Sequence, residues 1–290
     1  MSPVYTSTES WWLKFKRAQR HVVEIRLLAR KYAESHPYQV SRIREPERKG
    51  KRWRYQLVAD PPNRMMAMAL GDALHNLRSA LDHAIIACSK QEDRFYASYP
   101  LTRRGLLDTD SIGGFIDPDE KAREDFNSAL RGVSDDVRAI VIRAYSRHIN
   151  PGESDILHLI GRLDNRDKHR QIILLGGSLS DGFIMASNKE KVIHLGWVGP
   201  NQFLPDNTEI LSFKPRGSIR EKDVEVKVGG TPTIQIEVPL DSAKPGCSYS
   251  KLIPTLVGAL ASVRSILILL APHVIDSEVS ESPSHGAPPP

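Results

Sequence analysis

Apolar residues recur every three or four positions through much of this 290-residue chain. In an α-helix that spacing gathers the apolar side chains on one face, which the fold can then bury. The pattern predicts helical segments over 8–34, 62–89, 134–170 and 248–274, and the turn "NPG" divides the third of them. Helices therefore supply most of the core that we expect.

Two other regions show the alternation of apolar and polar residues that is typical of β-strands. "YQVSRI" and "RWRYQLV" flank a turn that contains Pro and Gly, so they predict a β-hairpin over 38–58. From 171 to 240, β-branched runs are split by Gly, Asn and Pro, as in an antiparallel sheet or small sandwich. The expected fold class is α+β: a helical bundle with a β-hairpin near the N-terminus and an antiparallel β insertion before the C-terminal helix.

The domain organisation follows from length and composition. A chain of 32.5 kDa with 40% hydrophobic residues can bury a sizeable core, and we expect a single α+β domain over 1–275. Residues 276–290 are rich in Ser and Pro and cannot bury a core of their own. We therefore expect a disordered tail there.

Basic residues slightly outnumber acidic ones, with 40 Lys and Arg against 35 Asp and Glu and a formal net charge of +5. This balance favours RNA or another polyanion as a partner without requiring one. The hairpin segment "RIREPERKGKRWRYQL" interleaves basic residues with Trp53 and Tyr55, which suits phosphates and stacked bases. A solvated hairpin tip with one side packed onto the fold is the favoured alternative, because "EPE" offsets part of the charge.

Cysteine usage and the N-terminus indicate a cytoplasmic protein. Cys88 and Cys247 are far apart and form no CxxC pair, so neither a disulfide framework nor a zinc–thiolate site is indicated. The start "MSPVYTSTESWW" lacks the basic and apolar regions of a signal peptide. Residues 252–274 are apolar, but Pro254 and Arg264 interrupt them, so we expect a helix in the bundle or in a dimer interface and no membrane partner.

The predicted helix over 62–89 has an unusual second face. Within "GDALHNLRSALDH", residues 71–83, the apolar side chains fall on one arc at ~100° per residue. Lys and Glu would solvate the opposite arc more simply than the residues found there. That arc carries His75, Asn76, Arg78, Ser79, Asp82 and His83. This face is therefore a candidate site.

A second polar row lies on the predicted helix over 155–170. It contains His158, Arg162, Asn165 and His169. Their spacing of four, three and four residues stacks them in one stripe. Asp167, flanked by Lys168 and Arg170, lies near the apolar side, where a carboxylate needs a partner. If the two helices pack side by side, Arg78 and His169 approach each other within one site.

Arg78 and His83 belong to the string "RSALDH", in which four residues separate the Arg from the His. That spacing resembles the R-x(4–6)-H motif of HEPN domains, helical proteins that include many metal-independent ribonucleases of bacterial toxin and antiphage systems. The resemblance implies that His83 exchanges protons with the ribose 2′-hydroxyl or the departing 5′-oxygen and that Arg78 holds the phosphate. A second acid or base is then needed, for which His169 is the candidate within the chain and the motif of a second subunit is the alternative. The resemblance also implies a 2′,3′-cyclic phosphate product and a homodimer.

The longer strings "HNLRSALDH" and "NRDKHR" are more specific than the HEPN spacing. They resemble a group of uncharacterised bacterial proteins that carry both strings. That group brings no established activity, so the expected function remains a metal-independent endoribonuclease, with a non-catalytic nucleotide- or RNA-binding module as the alternative.

Two further interpretations of the polar residues stay open. Asp167, His169 and Arg78 can form a buried network that fixes the registry of the helices and has no other role. A metal site would draw its ligands from His75, Asp82, His83, His158 and His169. No HExxH or similarly tight ligand spacing occurs, and Arg78 would repel a cation, so we expect no metal or cofactor.

Overall fold

The computed structural model describes most of the chain in ten segments. They are residues 9–43, 53–101, 120–147, 156–168, 175–188, 192–198, 204–205, 209–213, 223–239 and 247–275.

Six α-helices lie in these segments, close to where the apolar periodicity predicts them. They are α1 (Ser10–Glu34), α2 (Arg64–Ala87), α3 (Glu120–Ala129), α4 (Asp135–Arg147), α5 (Ile156–Lys168) and α6 (Leu252–Leu270). Helix α2 begins directly after Asn63, whose Oδ1 accepts a hydrogen bond from the backbone N–H of Met65 at 2.9 Å. An asparagine in this position caps a helix by satisfying one of its first free N–H groups.

The same segments contain eight β-strands. They are β1 (Tyr38–Ile43), β2 (Trp53–Ala59), β3 (Leu175–Asn188), β4 (Val192–Val198), β5 (Leu204–Pro205), β6 (Glu209–Phe213), β7 (Val224–Pro239) and β8 (Cys247–Lys251). All of their pairings are antiparallel. The mixed α+β fold predicted from the sequence is confirmed.

The first sheet is built on the predicted hairpin. Strands β1 and β2 pair with Tyr38 opposite Ala59, which confirms the hairpin. Strand β6 pairs with β2 on its other side, so one of the late strands joins the hairpin to form a three-stranded sheet. Trp53 and Tyr55 are buried in the core of this region, so their rings are not the base-stacking surface considered above.

The second sheet has the strand order β4-β3-β7-β8, and β5 adds to β3. Strand β8 corrects the predicted start of the C-terminal helix, because the sequence predicts a helix from residue 248 onwards. Cys247–Lys251 instead pair with β7, and the helix begins at Leu252. Pro254 lies in the first turn of α6, where a missing N–H costs no hydrogen bond, so it favours a helix start at that point.

The described chain forms two compact units. The first comprises Met1–Ala18, Leu74–Asp164 and Gly258–Pro290, and the second comprises Gln19–Ala73 and Asn165–Val257. The boundaries fall inside α1, α2, α5 and α6. All the candidate residues of α2 belong to the first unit.

The core of the first unit is helical. The apolar arc predicted for α2 is buried, with Leu77, Leu81 and Ile85 at 0% exposure. Helices α5 and α6 approach closely, since a Cβ atom added at Gly258 would lie 2.7 Å from Ile156 Cδ1. Polar side chains on the inner side of α2 or α5 therefore face a closely packed apolar interior.

One helix in the described residues, Leu252–His273, is long and apolar enough to cross a membrane. About a third of its most apolar window is buried in the fold. Core helices of soluble proteins can have the same length and apolar composition, so these two properties alone are weak evidence for a membrane span. Arg264 is exposed in the middle of this helix, where a charge would be costly in hydrocarbon.

Candidate functional site

Arg78 and His83 lie on the same helix but are directed differently. Five residues along an α-helix correspond to a rotation of ~140°, so their side chains leave α2 on different sides. The structure gives them separate neighbours, with Arg78 among carboxylates and His83 beside the start of α1. The two residues of the HEPN-like string therefore belong to two clusters.

The first cluster is organised by Asp164 on α5, which is only 1% exposed. Arg78 Nη1 lies 3.3 Å from Asp164 Oδ2. His75 Nδ1 lies 3.3 Å from Asp164 Oδ1. One buried carboxylate thus joins two side chains from successive turns of α2 to α5.

A second carboxylate extends this cluster along α2. Arg78 Nε lies 3.8 Å from Asp82 Oδ2, one helical turn away. Asp82 Oδ1 accepts a hydrogen bond from the backbone N–H of Tyr99 at 3.0 Å. Ser79 Oγ lies at the edge, 3.5 Å from His75 Nε2. We call His75, Arg78, Asp82 and Asp164 the Asp164 network.

The Asp164 network neutralises the guanidinium that the HEPN resemblance assigns to phosphate. Arg78 is 26% exposed and has two carboxylates beside it. Opposite charges that are paired in a partly buried place hold two helices in register, and breaking such a pair is costly. This geometry matches the kind of structural network considered above, with Asp164 as a carboxylate that the sequence did not single out.

Asp164 was missing from the residues selected in the sequence, although the sequence carried a signal for it. It follows Leu157 by seven residues and Ile160 by four, so it lies on the apolar face of α5. A carboxylate on such a face needs partners. The same reasoning selected Asp167, one turn later, whose side chain lies outside the described part of the structure.

The second cluster surrounds an open cleft of about 400 Å³ in the first unit. Its lining combines three ionisable side chains, one hydroxyl and an apolar wall. The lining residues are Glu9, Ser10, Trp11, His83, Ile86, Ala87, Arg94, Val274 and Ile275. We call this the His83 cleft.

His83 is held at the cleft by one hydrogen bond. Its Nδ1 lies 3.0 Å from Ser10 Oγ, and its Nε2 makes no hydrogen bond to any described residue. A ring oriented through Nδ1 presents Nε2 as the group that can donate or accept a proton. The imidazole is thus positioned by the fold and has one nitrogen available for a ligand.

Arg94 brings a guanidinium to the same cleft. Its Nε donates to the carbonyl oxygen of Ser89 and its Nη2 to that of Ile275, each at 3.2 Å. These two bonds fix the plane of the guanidinium and use two of the five N–H donors of an arginine. Sequence reasoning missed Arg94, because it follows a 3-10 turn over Gln91–Asp93 and no helical spacing relates it to His83.

The other predicted site residues are placed as follows. Asn76 is buried, at 6% exposure, and not on the solvent side of α2 where we expected it. Asn165 is exposed on α5. Lys168 lies within α5, but its side chain is outside the described part, and His169 and Arg170 are wholly outside it. The expected approach of Arg78 to His169 therefore remains a prediction.

The comparisons with known proteins identify no relative of this chain. Searches against protein-family models, curated proteins and solved structures each found no match to this chain. Within the described segments, no group of three or more His, Cys, Asp or Glu residues is arranged to hold a metal ion.

Proposed function

We propose that this protein binds RNA at the His83 cleft, and that the Asp164 network has the structural role of holding α2 in place. The observation that carries the proposal is the difference between the two arginines. Arg94 lines the same cleft as His83, whereas Arg78 lies between two carboxylates. A guanidinium that forms no ion pair is the better phosphate ligand, and Arg94 forms none with a described residue, although the Glu9 carboxylate lines the same cleft.

The chemistry of the cleft suits a phosphate group. A guanidinium offers a planar fork to phosphate oxygens, and a protonated imidazole adds a second charged donor. The excess of basic residues favours a polyanion, and contacts of this kind make affinity fall as salt is added. Helix α1 begins at Ser10, so the positive end of its dipole also lies at the cleft.

Metal-independent cleavage of RNA is a second candidate, favoured by the orientation of His83. The ring is fixed through Nδ1 by Ser10, so Nε2 could accept the proton of a ribose 2′-hydroxyl. The 2′-oxygen would then attack phosphorus and the 5′-oxygen would leave and take a proton from water, which gives a 2′,3′-cyclic phosphate and a 5′-hydroxyl. In this scheme Arg94 takes the phosphate role that the HEPN resemblance gives to Arg78.

The setting of this function is part of the proposal. The likeness of "RSALDH" to HEPN proteins favours a bacterial toxin or antiphage role, in the cytoplasm and without a membrane partner. A homodimer would present two His83 clefts to one RNA.

Binding of a labelled single-stranded RNA, followed by fluorescence anisotropy, tests the proposal. We expect the His83→Ala variant to bind at least about tenfold more weakly, and wild-type affinity to fall steeply between about 50 and 200 mM salt. His194→Ala, at an exposed position on β4, is the matched control and should bind as the wild type does. Equal binding by the wild type and His83→Ala would contradict the proposal.

The same RNA, incubated in EDTA, tests the second candidate. Cleavage products that end in a cyclic phosphate, and that disappear in His83→Ala, would support catalysis. Binding without cleavage would leave the protein as an RNA-binding module.

A further inference from the structure

We infer that the His83 cleft is a mononucleotide site, which takes one phosphate group between His83 and Arg94 and one nucleobase against its apolar wall. The inference rests on the proposed function, because it narrows the ligand of the same site from RNA in general to a single nucleotide unit. It uses the apolar residues of the lining as well as the polar ones, whereas the proposed function uses only the polar ones.

The polar part of the lining presents donors from three elements, together with the Glu9 carboxylate. His83 comes from α2, Ser10 from the start of α1 and Arg94 from the segment after α2. The backbone carbonyls of Ser89 and Ile275 hold the Arg94 guanidinium in a fixed plane. Donors that are fixed before the ligand arrives lose little entropy on binding, so this guanidinium is preorganised for an anion with several oxygens.

The apolar part of the lining consists of Ile86, Ala87, Val274 and Ile275. Ile275 is 43% exposed, and its backbone N–H donates to Ala87 O at 2.9 Å. Its carbonyl oxygen accepts a hydrogen bond from Arg94 Nη2, so this apolar residue lies beside the guanidinium. Aliphatic side chains give a planar ring a surface to lie against. A ligand that satisfies both parts of the lining has an anionic group and an apolar planar group, which describes a nucleotide.

The dimensions favour one nucleotide over a longer segment. A volume of about 400 Å³ falls near the lower end of small-molecule sites, which span roughly 300–1,000 Å³. The apolar residues Val274 and Ile275 bound the cleft with no further basic side chain in its lining. An extended RNA strand needs a series of cations along its phosphates. The lining supplies basic side chains only from His83 and Arg94.

Isothermal titration calorimetry with AMP, adenosine and inorganic phosphate tests the inference. We expect AMP to bind at least about tenfold more tightly than adenosine or phosphate alone, because only AMP contacts both the polar and the apolar lining. Arg94→Ala should lose at least about tenfold in affinity for AMP, and Arg94→Lys should lose less, since it keeps the charge without the fork. His83→Ala should also bind AMP more weakly than the wild type, because it removes a side chain that lines the cleft.

The controls separate this inference from the proposed function. Arg143→Ala removes an exposed arginine of the first unit that does not line the His83 cleft, and it should bind AMP as the wild type does. If RNA binds and AMP neither binds nor competes with it, the mononucleotide site is wrong and the proposed function stands. If AMP binds and RNA does not, the proposed function is wrong and the site stands. An affinity for AMP that is unchanged in both Arg94→Ala and His83→Ala would overturn the inference.

Discussion

A carboxylate that is 1% exposed needs donors close to it, and Asp164 has Arg78 Nη1 and His75 Nδ1 at 3.3 Å each. Charges in such places are sensitive to the loss of a partner, since the one that remains keeps its desolvation cost. At the residue scale, our proposal that Arg78 is structural and that Arg94 binds the ligand therefore depends on Asp164. Arg94 has carbonyl partners in place of carboxylates.

Replacement of Asp164 should lower stability substantially. We expect Asp164→Ala to reduce the free energy of unfolding by ~2–3 kcal/mol, below the ~3–5 of fully buried pairs, because Arg78 and His75 keep access to water. Urea denaturation followed by circular dichroism measures the change. Glu124→Ala removes an exposed carboxylate of α3, and its free energy of unfolding should stay within about 0.5 kcal/mol of the wild-type value. A urea midpoint of Asp164→Ala equal to that of the wild type would show that the Asp164 network has no structural role.

Cys88 gives a second prediction at this scale. Burial raises the pKa of its thiol to about 12. Since the thiolate is the reactive form, Cys88 in a Cys247→Ser background should react very slowly with a thiol reagent at pH 8 and rapidly in denaturant. The unfolded thiol ionises near pH 9, so its contribution to stability is present below that pH and is lost as the pH rises further. Fast labelling of the folded protein would contradict the burial of Cys88.

At the scale of elements, the helices and the hairpin could be predicted because each depends on a local period. The partners of β6 and β8 could not, since a strand joins whichever edge the fold offers and pairing is decided by residues far away in the chain. The polar face of α2 was recognised as unusual, but the side chain that organises it, Asp164, comes from α5. Arg94 depends on a turn and on Ile275, and neither leaves a periodic signal.

Gly177 provides a test of how α1 packs on β3 in the second unit. A Cβ atom at Gly177 would overlap Tyr32 Oη, and this hydroxyl donates to Asp60 O at 2.7 Å. We expect Gly177→Ala to lower the free energy of unfolding by about 1–3 kcal/mol, because the added methyl group overpacks this contact. Tyr32→Phe removes the obstructing oxygen, so the double variant should be less unstable than the sum of the two single changes. Strict additivity in urea denaturation would contradict this close approach.

At the scale of the whole molecule, the chain forms two compact units whose boundaries fall inside four helices. A helix is a cooperative element, and the sequence predicts one domain over 1–275. We therefore expect one unfolding transition. Tryptophan fluorescence and far-ultraviolet circular dichroism should give the same midpoint in urea. Two separated midpoints would show that the units unfold independently, and the prediction of a single domain would be wrong.

The central claim is that Arg94, and not Arg78, receives the phosphate group. Anisotropy titrations of labelled RNA with Arg94→Ala and Arg78→Lys, run side by side, test it most directly. The account predicts at least about tenfold weaker binding by Arg94→Ala, and binding by Arg78→Lys within about twofold of the wild type despite a lower thermal midpoint. Loss of binding in Arg78→Lys with full binding in Arg94→Ala would contradict the account and return the phosphate to the HEPN-like arginine.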